Sequence, residues 1–272
     1  MYTQPIDRAH PGCILFLVDR STSMEEPLGG TETSKATALA QAVNRLVRNL
    51  VLQCQRGEQI RDYYHLGLIG YGATVGSIFG GQLAGYNLVP ISRVADYPLR
   101  LVQETLPGTP NVALDLPIWI EPVANGATPM VRAIDTAGAI VVDWANEHFD
   151  SFPPIIINVS DGAATDGDPR PMAAQLRDVH TRDGDLLLFN VNLSASPGPA
   201  IQYPNSPRDL PDEYARTLFQ MSSELTAYMV AVARGMGLTM HDGARGFVFN
   251  ADAGTLGEFL DVGTRVSQVA DR

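Results

Sequence analysis

The chain has 272 residues, is 45% hydrophobic and 18% charged, and carries a formal net charge of −11 with a pI near 4.8. That apolar content suffices for one large core and is too high for a disordered chain. An acidic balance without a Lys/Arg cluster argues against nucleic acid or an anionic membrane as partner, and suits a cation or a basic partner better.

No run approaches the ~18 apolar residues of a membrane span. Met1–His10 is polar and carries Asp7 and Arg8, so it does not read as a signal peptide. Cys13 and Cys54 each sit in an apolar run, and no CxxC accompanies them. They are expected to be buried free thiols, which predicts a reducing, cytoplasmic setting.

In chain order, Cys13–Val18 is a short continuous apolar run, as expected of a central strand buried on both faces. A Gly-rich loop over 27–33 leads to a helix over Ser34–Leu52, with apolar residues at 39, 43, 46, 47, 50 and 51. Tyr64–Tyr71 and Ala73–Phe79 predict two strands close enough to form an antiparallel hairpin. The proline-rich stretch 80–123 reads as an insertion of short strands and loops. A helix is expected over Pro129–His148, a fully buried strand over Ile155–Ser160, a helix over Pro171–Thr181 and a strand over Asp185–Leu193. Ser194–Pro211 reads as a loop and Asp212–Gly235 as helix with a break near Ser222. Gly246–Asn250 is expected as a last strand and Thr255–Val269 as a closing helix. Strands alternating with helices predict a doubly wound α/β fold: a mostly parallel sheet, helices on both faces, and one antiparallel edge strand.

Ligands of open α/β sheets bind at the carboxyl ends of the strands, where the strand order reverses. The first strand runs into Asp19, followed by Ser21 and Ser23. The strand 155–160 runs into Asp161-Gly162. The helix near Pro129 is preceded by Gly126-Ala127-Thr128. One sheet edge can therefore gather Asp19, Ser21, Ser23, Thr128 and Asp161, two carboxylates and three hydroxyls. Fully extended, residues 19 and 23 would lie roughly 13 Å apart at ~3.3 Å per residue, so one ion can meet both only if the chain curls directly after Asp19. An all-oxygen set fits a hard divalent cation at ~2.1 Å that keeps some waters, whereas softer metals call for His or Cys.

These residues resemble the von Willebrand factor A domain. Asp19-Ser21-Ser23 matches its D-x-S-x-S, Thr128 its second-loop threonine and Asp161 its third-loop aspartate, which together form the metal-ion-dependent adhesion site. The resemblance covers about residues 11–193 and extends to the closing helix. It implies one domain over 1–272, elaborated by the insertion 80–123 and the segment 194–245. Within the family the chain is similar to small stand-alone bacterial proteins of the tellurite-resistance type, with Ala244–Asp252 as the shared stretch. The resemblance implies a non-enzymatic protein-binding module that holds Mg²⁺ or Mn²⁺ and accepts a carboxylate from a partner protein at an open coordination position. It also implies an association with a serine/threonine kinase and a metal-dependent phosphatase.

Blander readings apply to the neighbouring residues. Asp166 and Asp168 read as a turn and helix start, and Glu25 and Glu26 as a solvated loop. The histidines at 10, 65, 148, 180 and 241 have no metal-ligand spacing. The glycines of 67–72 lie within a strand and miss the nucleotide-loop spacing. Trp119 and Phe152 read as packing. Two alternative functions stand beside the leading one. The first is a metal-dependent phosphotransferase or hydrolase with Asp19 as nucleophile. Such an enzyme would need an acid two residues on, where Ser21 stands, and no lysine follows where phosphate charge would want one. The second is a scaffold whose metal site is unused.

Overall fold

The structure, a computed structural model, describes residues 2–105, 113–195 and 198–264. Its core is an eight-stranded sheet. The strands are β1 (Gly12–Asp19), β2 (Tyr64–Tyr71), β3 (Val75–Ser77), β4 (Val89–Pro90), β5 and β6 outside it (Arg100–Thr105 and Ala113–Ile118, a separate hairpin), β7 (Ile155–Ser160), β8 (Leu187–Leu193), β9 (Ile201–Gln202) and β10 (Phe247–Ala251). The main path runs β9-β10-β8-β7-β1-β2-β3, with β4 also on β2. Neighbouring pairs from β2 to β10 along this path are parallel. The short strands β3, β4 and β9 are antiparallel, so both edges end antiparallel, where one such strand was expected. Short antiparallel ends of this kind cap an edge that would otherwise invite pairing.

The helices are α1 (Lys35–Gln53), α2 (Ile91–Asp96), α3 (Met130–Glu147), α4 (Arg170–Arg177), α5 (Glu213–Met221), α6 (Ala227–Gly235) and α7 (Ala253–Thr264). Alternation along β1 sorts them into two layers. Ile14, Phe16 and Val18 pack with α1, α6 and α7, whereas Cys13, Leu15 and Leu17 pack with α3, α4 and α5. Both cysteines are buried free thiols, as expected, and burial pushes Cys54 up to about 12.

Several elements differ from expectation. The fourth helix stops at Arg177, and His180–Thr181 instead pairs with Gly184–Asp185 in a tight hairpin. The expected loop 194–211 contributes β9, and the expected strand 73–79 shortens to three residues. The break near Ser222 is present: Ser222 ends α5, and Thr226 caps α6 by accepting from the Met229 amide. Residues 265–269 of the expected last helix lie outside the described residues.

The insertion contains the helix α2 as well as strands, and α1 anchors its return. Buried Asn44 accepts the amides of Trp119 (2.9 Å) and Ile120 (3.1 Å) and donates to the Ile120 carbonyl (2.9 Å), while the Trp119 indole donates to Val94 O (2.7 Å). Trp119 and Phe152 are buried, as expected. A cavity of about 730 Å³ separates the outer side of α1 from the β5–β6 hairpin, lined among others by Arg45, Arg48, Val102 and Leu116. Among the described residues no helix is long and apolar enough to cross a membrane.

Candidate metal centre

Strand order reverses between β1 and β7: β1 leads through α1 to β2 on one side, and α3 leads into β7 on the other. In open α/β sheets this is where a crevice opens at the carboxyl ends. Asp19 ends β1 opposite Tyr71, and Ser160 ends β7 opposite Asn192. The chain then curls as the spacing required. Thr22–Glu25 forms a 3₁₀ turn, closed by bonds from Met24 N–H to Ser21 O (3.0 Å) and Glu26 N–H to Ser23 O (3.1 Å), and pinned by the buried Met24.

Four of the five candidate residues form a continuous hydrogen-bonded chain. The Ser21 amide donates to Asp19 Oδ1 (2.8 Å), Ser21 and Ser23 share a bond between hydroxyls (3.0 Å), and Ser23 Oγ donates to Asp161 Oδ1 (2.8 Å). Thr128 reaches the cluster by another route. Thr22 N–H donates to Gly126 O (2.9 Å), and Gly126 N–H donates back to Thr22 Oγ1 (3.0 Å). Thr128 itself, 6% exposed, is tied by its backbone to the third loop, donating to Thr165 Oγ1 (3.1 Å) and accepting from Thr165 N–H (2.9 Å). All three loops are thus cross-linked.

Glycines permit that approach. Gly126 has φ +91°, and a Cβ there would lie 2.3 Å from Ala73 N; a Cβ on Gly72 would lie 2.6 Å from Asn125 O and 2.7 Å from Arg20 O. The Gly-rich run 67–72 therefore serves close backbone packing at the strand end.

The donor set is all oxygen, and the Ser21–Ser23 and Ser23–Asp161 separations match the ~3.0 Å between adjacent ligands of an octahedral ion at ~2.1 Å. Among the described residues there is no cluster of three or more His, Cys, Asp or Glu, so an ion here would depend on hydroxyls and water as well as two carboxylates. The residues present fit a small hard cation.

Asp19 is the buried anchor, 1% exposed. Burial pushes its carboxyl up to about 6, against bonds from Ser160 Oγ to Oδ2 (2.6 Å) and from Ser21 that favour the charged form. Ser160 is in turn bonded by the Tyr214 hydroxyl of α5 (3.2 Å). Beneath runs a buried polar chain: Tyr71 OH to Asn158 Oδ1 (2.7 Å), Asn158 Nδ2 to Asn190 Oδ1 (2.9 Å), and Asn190 Nδ2 to Ser222 Oγ (3.0 Å).

Three residues here escaped the sequence reading. Lys35 sends its ammonium to Asp161 Oδ2 (2.7 Å) and Glu26 Oε2 (2.8 Å). A lysine does therefore stand in the cluster, and Glu26 is an ion-pair partner rather than a free loop residue. Ser160 and Tyr214 support Asp19 from behind. Asp168 accepts the Arg170 amide at the start of α4, as expected of a helix-start residue, whereas Asp166 caps a helix other than the one it precedes. Its oxygens accept the Val131 and Arg132 amides of α3 (3.0 Å each), while Asp168 pairs with Arg170. Of the histidines, His65 accepts the Trp144 indole proton at Nδ1 (2.7 Å) and lies against His148.

No protein-family model matches the chain, and no curated protein does. Among solved structures the chain is similar to proximal thread matrix protein 1 of the mussel byssus, at 11% identity over 97% of this chain and 49% of that one, with a TM-score of 0.52. A von Willebrand factor type A protein from Catenulispora acidiphila matches at 13% identity over 94% and 43%, TM-score 0.48. The PilB minor pilin of Streptococcus sanguinis matches at 11% identity over 94% and 61%, TM-score 0.48. The chain spans between 43% and 61% of these neighbours' lengths. The likeness to the mussel protein is one of fold.

Proposed function

We propose that this chain is a metal-dependent protein-binding module of the von Willebrand factor A type. Asp19, Ser21, Ser23, Thr128 and Asp161 would hold Mg²⁺ or Mn²⁺, some of them through water, and a carboxylate from a partner protein would complete the ion's coordination. The observation that carries the reading is the unbroken chain Asp19–Ser21–Ser23–Asp161 at the reversal point of the sheet, with hydroxyl spacings of 3.0 and 2.8 Å. The ion supplies positive charge for an incoming acid. The protein's part is to fix the ligands: Ser160 orients Asp19, and Gly126 and Thr165 hold the Thr128 loop. Two formal negative charges leave a divalent ion able to accept a third.

The bacterial kinase and phosphatase association rests on the resemblance of the sequence alone, and the partner is defined here only by its acidic side chain. The test is capture from host lysate by wild type with Mg²⁺, wild type with chelator, and Thr128→Ala with Mg²⁺. Proteins retained only in the first arm support the module, whereas equal retention in all three contradicts it.

A second reading, phosphoryl or hydrolytic chemistry at Asp19, gains one observation, the Lys35 ammonium in the cluster. It lacks an acid at position 21, and both Asp19 oxygens already accept hydrogen bonds. Turnover of a generic phosphate ester with Mg²⁺, lost in Asp19→Asn, would favour it.

A further inference from the structure

Lys35 stands where a lysine is costly. It is the first residue of α1, where the helix dipole disfavours a cation, and it is 3% exposed. Lysines are almost never buried this deeply unless paired. Among the described residues its partners are Asp161 Oδ2 at 2.7 Å, Glu26 Oε2 at 2.8 Å and Ser23 O at 3.5 Å. Asp161 is a candidate ion ligand, with its side chain 1% exposed, whereas Glu26 is not one and its side chain is 58% exposed. The backbone fixes this geometry, since Lys35 N–H donates to Glu26 O (2.9 Å) and Ser34 bridges Pro27. One ammonium therefore sits within hydrogen-bond reach of both acids at once.

We propose that Lys35 is a tethered competitor of the divalent cation: it neutralises Asp161 when the ion is away, and Glu26 draws it off when the ion binds. This rests on the metal reading above and adds to it a residue that sets how tightly, and against what opposition, the ion is held. A fixed unit charge within a few ångströms of a divalent ion opposes it strongly at the effective dielectric of a partly buried site. Glu26, by offering a second carboxylate, reduces that opposition.

The test is calorimetric titration of Mn²⁺ into wild type, Lys35→Met, Glu26→Gln and the double variant. Lys35→Met is expected to tighten binding by about tenfold or more, and Glu26→Gln to weaken it severalfold. In the Lys35→Met background, Glu26→Gln should lose most of its effect, because its role passes through the ammonium. Without metal, Lys35→Met should melt below wild type, because Asp161 is left without its partner, and Mn²⁺ should raise its melting temperature by more than it raises that of wild type. Equal affinities in all four proteins would overturn the role of Lys35 while leaving the metal reading intact. So would weaker binding in folded Lys35→Met, or additive effects in the double variant. If none of the four bound Mn²⁺, the metal reading would fall and the proposal with it. Glu26→Gln alters an exposed side chain, so it keeps the proposal open to refutation even if Lys35→Met folds poorly.

Discussion

Asp166 accepts the amide of Val131 on one carboxylate oxygen and that of Arg132 on the other, each at 3.0 Å. The first turn of α3 is thereby capped from the loop after β7, thirty-five residues further along the chain. The helix needs this help, since its own N-cap position is Pro129, which makes no side-chain cap. The same contact ties the third loop to the second, and so Asp161 to Thr128. Asp166→Ala is expected to cost about 1–2 kcal/mol of stability, as loss of a helix cap does. It should also weaken Mn²⁺ binding, although Asp166 is not a proposed ligand. Urea unfolding and a Mn²⁺ titration of the same variant check both parts.

Gly126 tests the packing of the loops. At φ +91°, with Ala73 N where a Cβ would sit, alanine is excluded both by conformation and by space. Gly126→Ala is expected to destabilise the protein by about 2 kcal/mol or more. Gly57→Ala, also at positive φ but with no atom within 4 Å of a Cβ, should cost less, about 1 kcal/mol. Equal losses in thermal or urea denaturation would mean that the loops at the site are looser than described.

Tyr214 tests the support behind Asp19. Tyr214→Phe removes only the hydroxyl that bonds Ser160. Stability should change by about 1 kcal/mol. Mn²⁺ affinity should fall about tenfold, the scale found when a group that orients a metal ligand is lost. An unchanged affinity in the titration would show that Ser160 holds Asp19 without help from α5.

Acid sensitivity should arise at the far end of β2. Burial lowers the pKa of His65 below its ordinary 6.5, the charge of His148 lowers it further, and Asp62 and Glu147 oppose both. The neutral ring is the one that accepts the Trp144 indole proton. The unfolded chain therefore takes up the proton first as pH falls. Above about pH 6.5 both states are neutral and the contribution is intact; it is lost progressively below that value. His65→Gln should flatten the fall of unfolding free energy between about pH 7 and 5, as read from urea curves against wild type.

The elements that build the sheet were legible because each is a local signal. The apolar runs Cys13–Val18 and Ile155–Ser160 need no partner to be read as buried strands, and Asp19 and Asp161 follow them directly. Gly126-Ala127-Thr128 was readable for the same reason, as a loop before a strong helix. What escaped was long-range. Lys35 lies sixteen residues after Asp19 in an ordinary helix start, and its tie to Asp161 spans 126 residues. Tyr214 sits in an amphipathic helix where a tyrosine draws no notice. Asp166 looked like turn chemistry because the amides it caps precede it by thirty-five residues. The insertion resisted because β4 is two residues long and α2 six, too short for either period to show.

The cluster around Asp19 is proposed to bind a divalent ion. The direct measurement is calorimetric titration of Mn²⁺ into wild type and Asp19→Asn, with folding of both checked by circular dichroism. One Mn²⁺ site is expected in wild type and is expected to be lost in Asp19→Asn. A wild type that binds no Mn²⁺, or an Asp19→Asn variant that binds it equally well, would contradict the proposal.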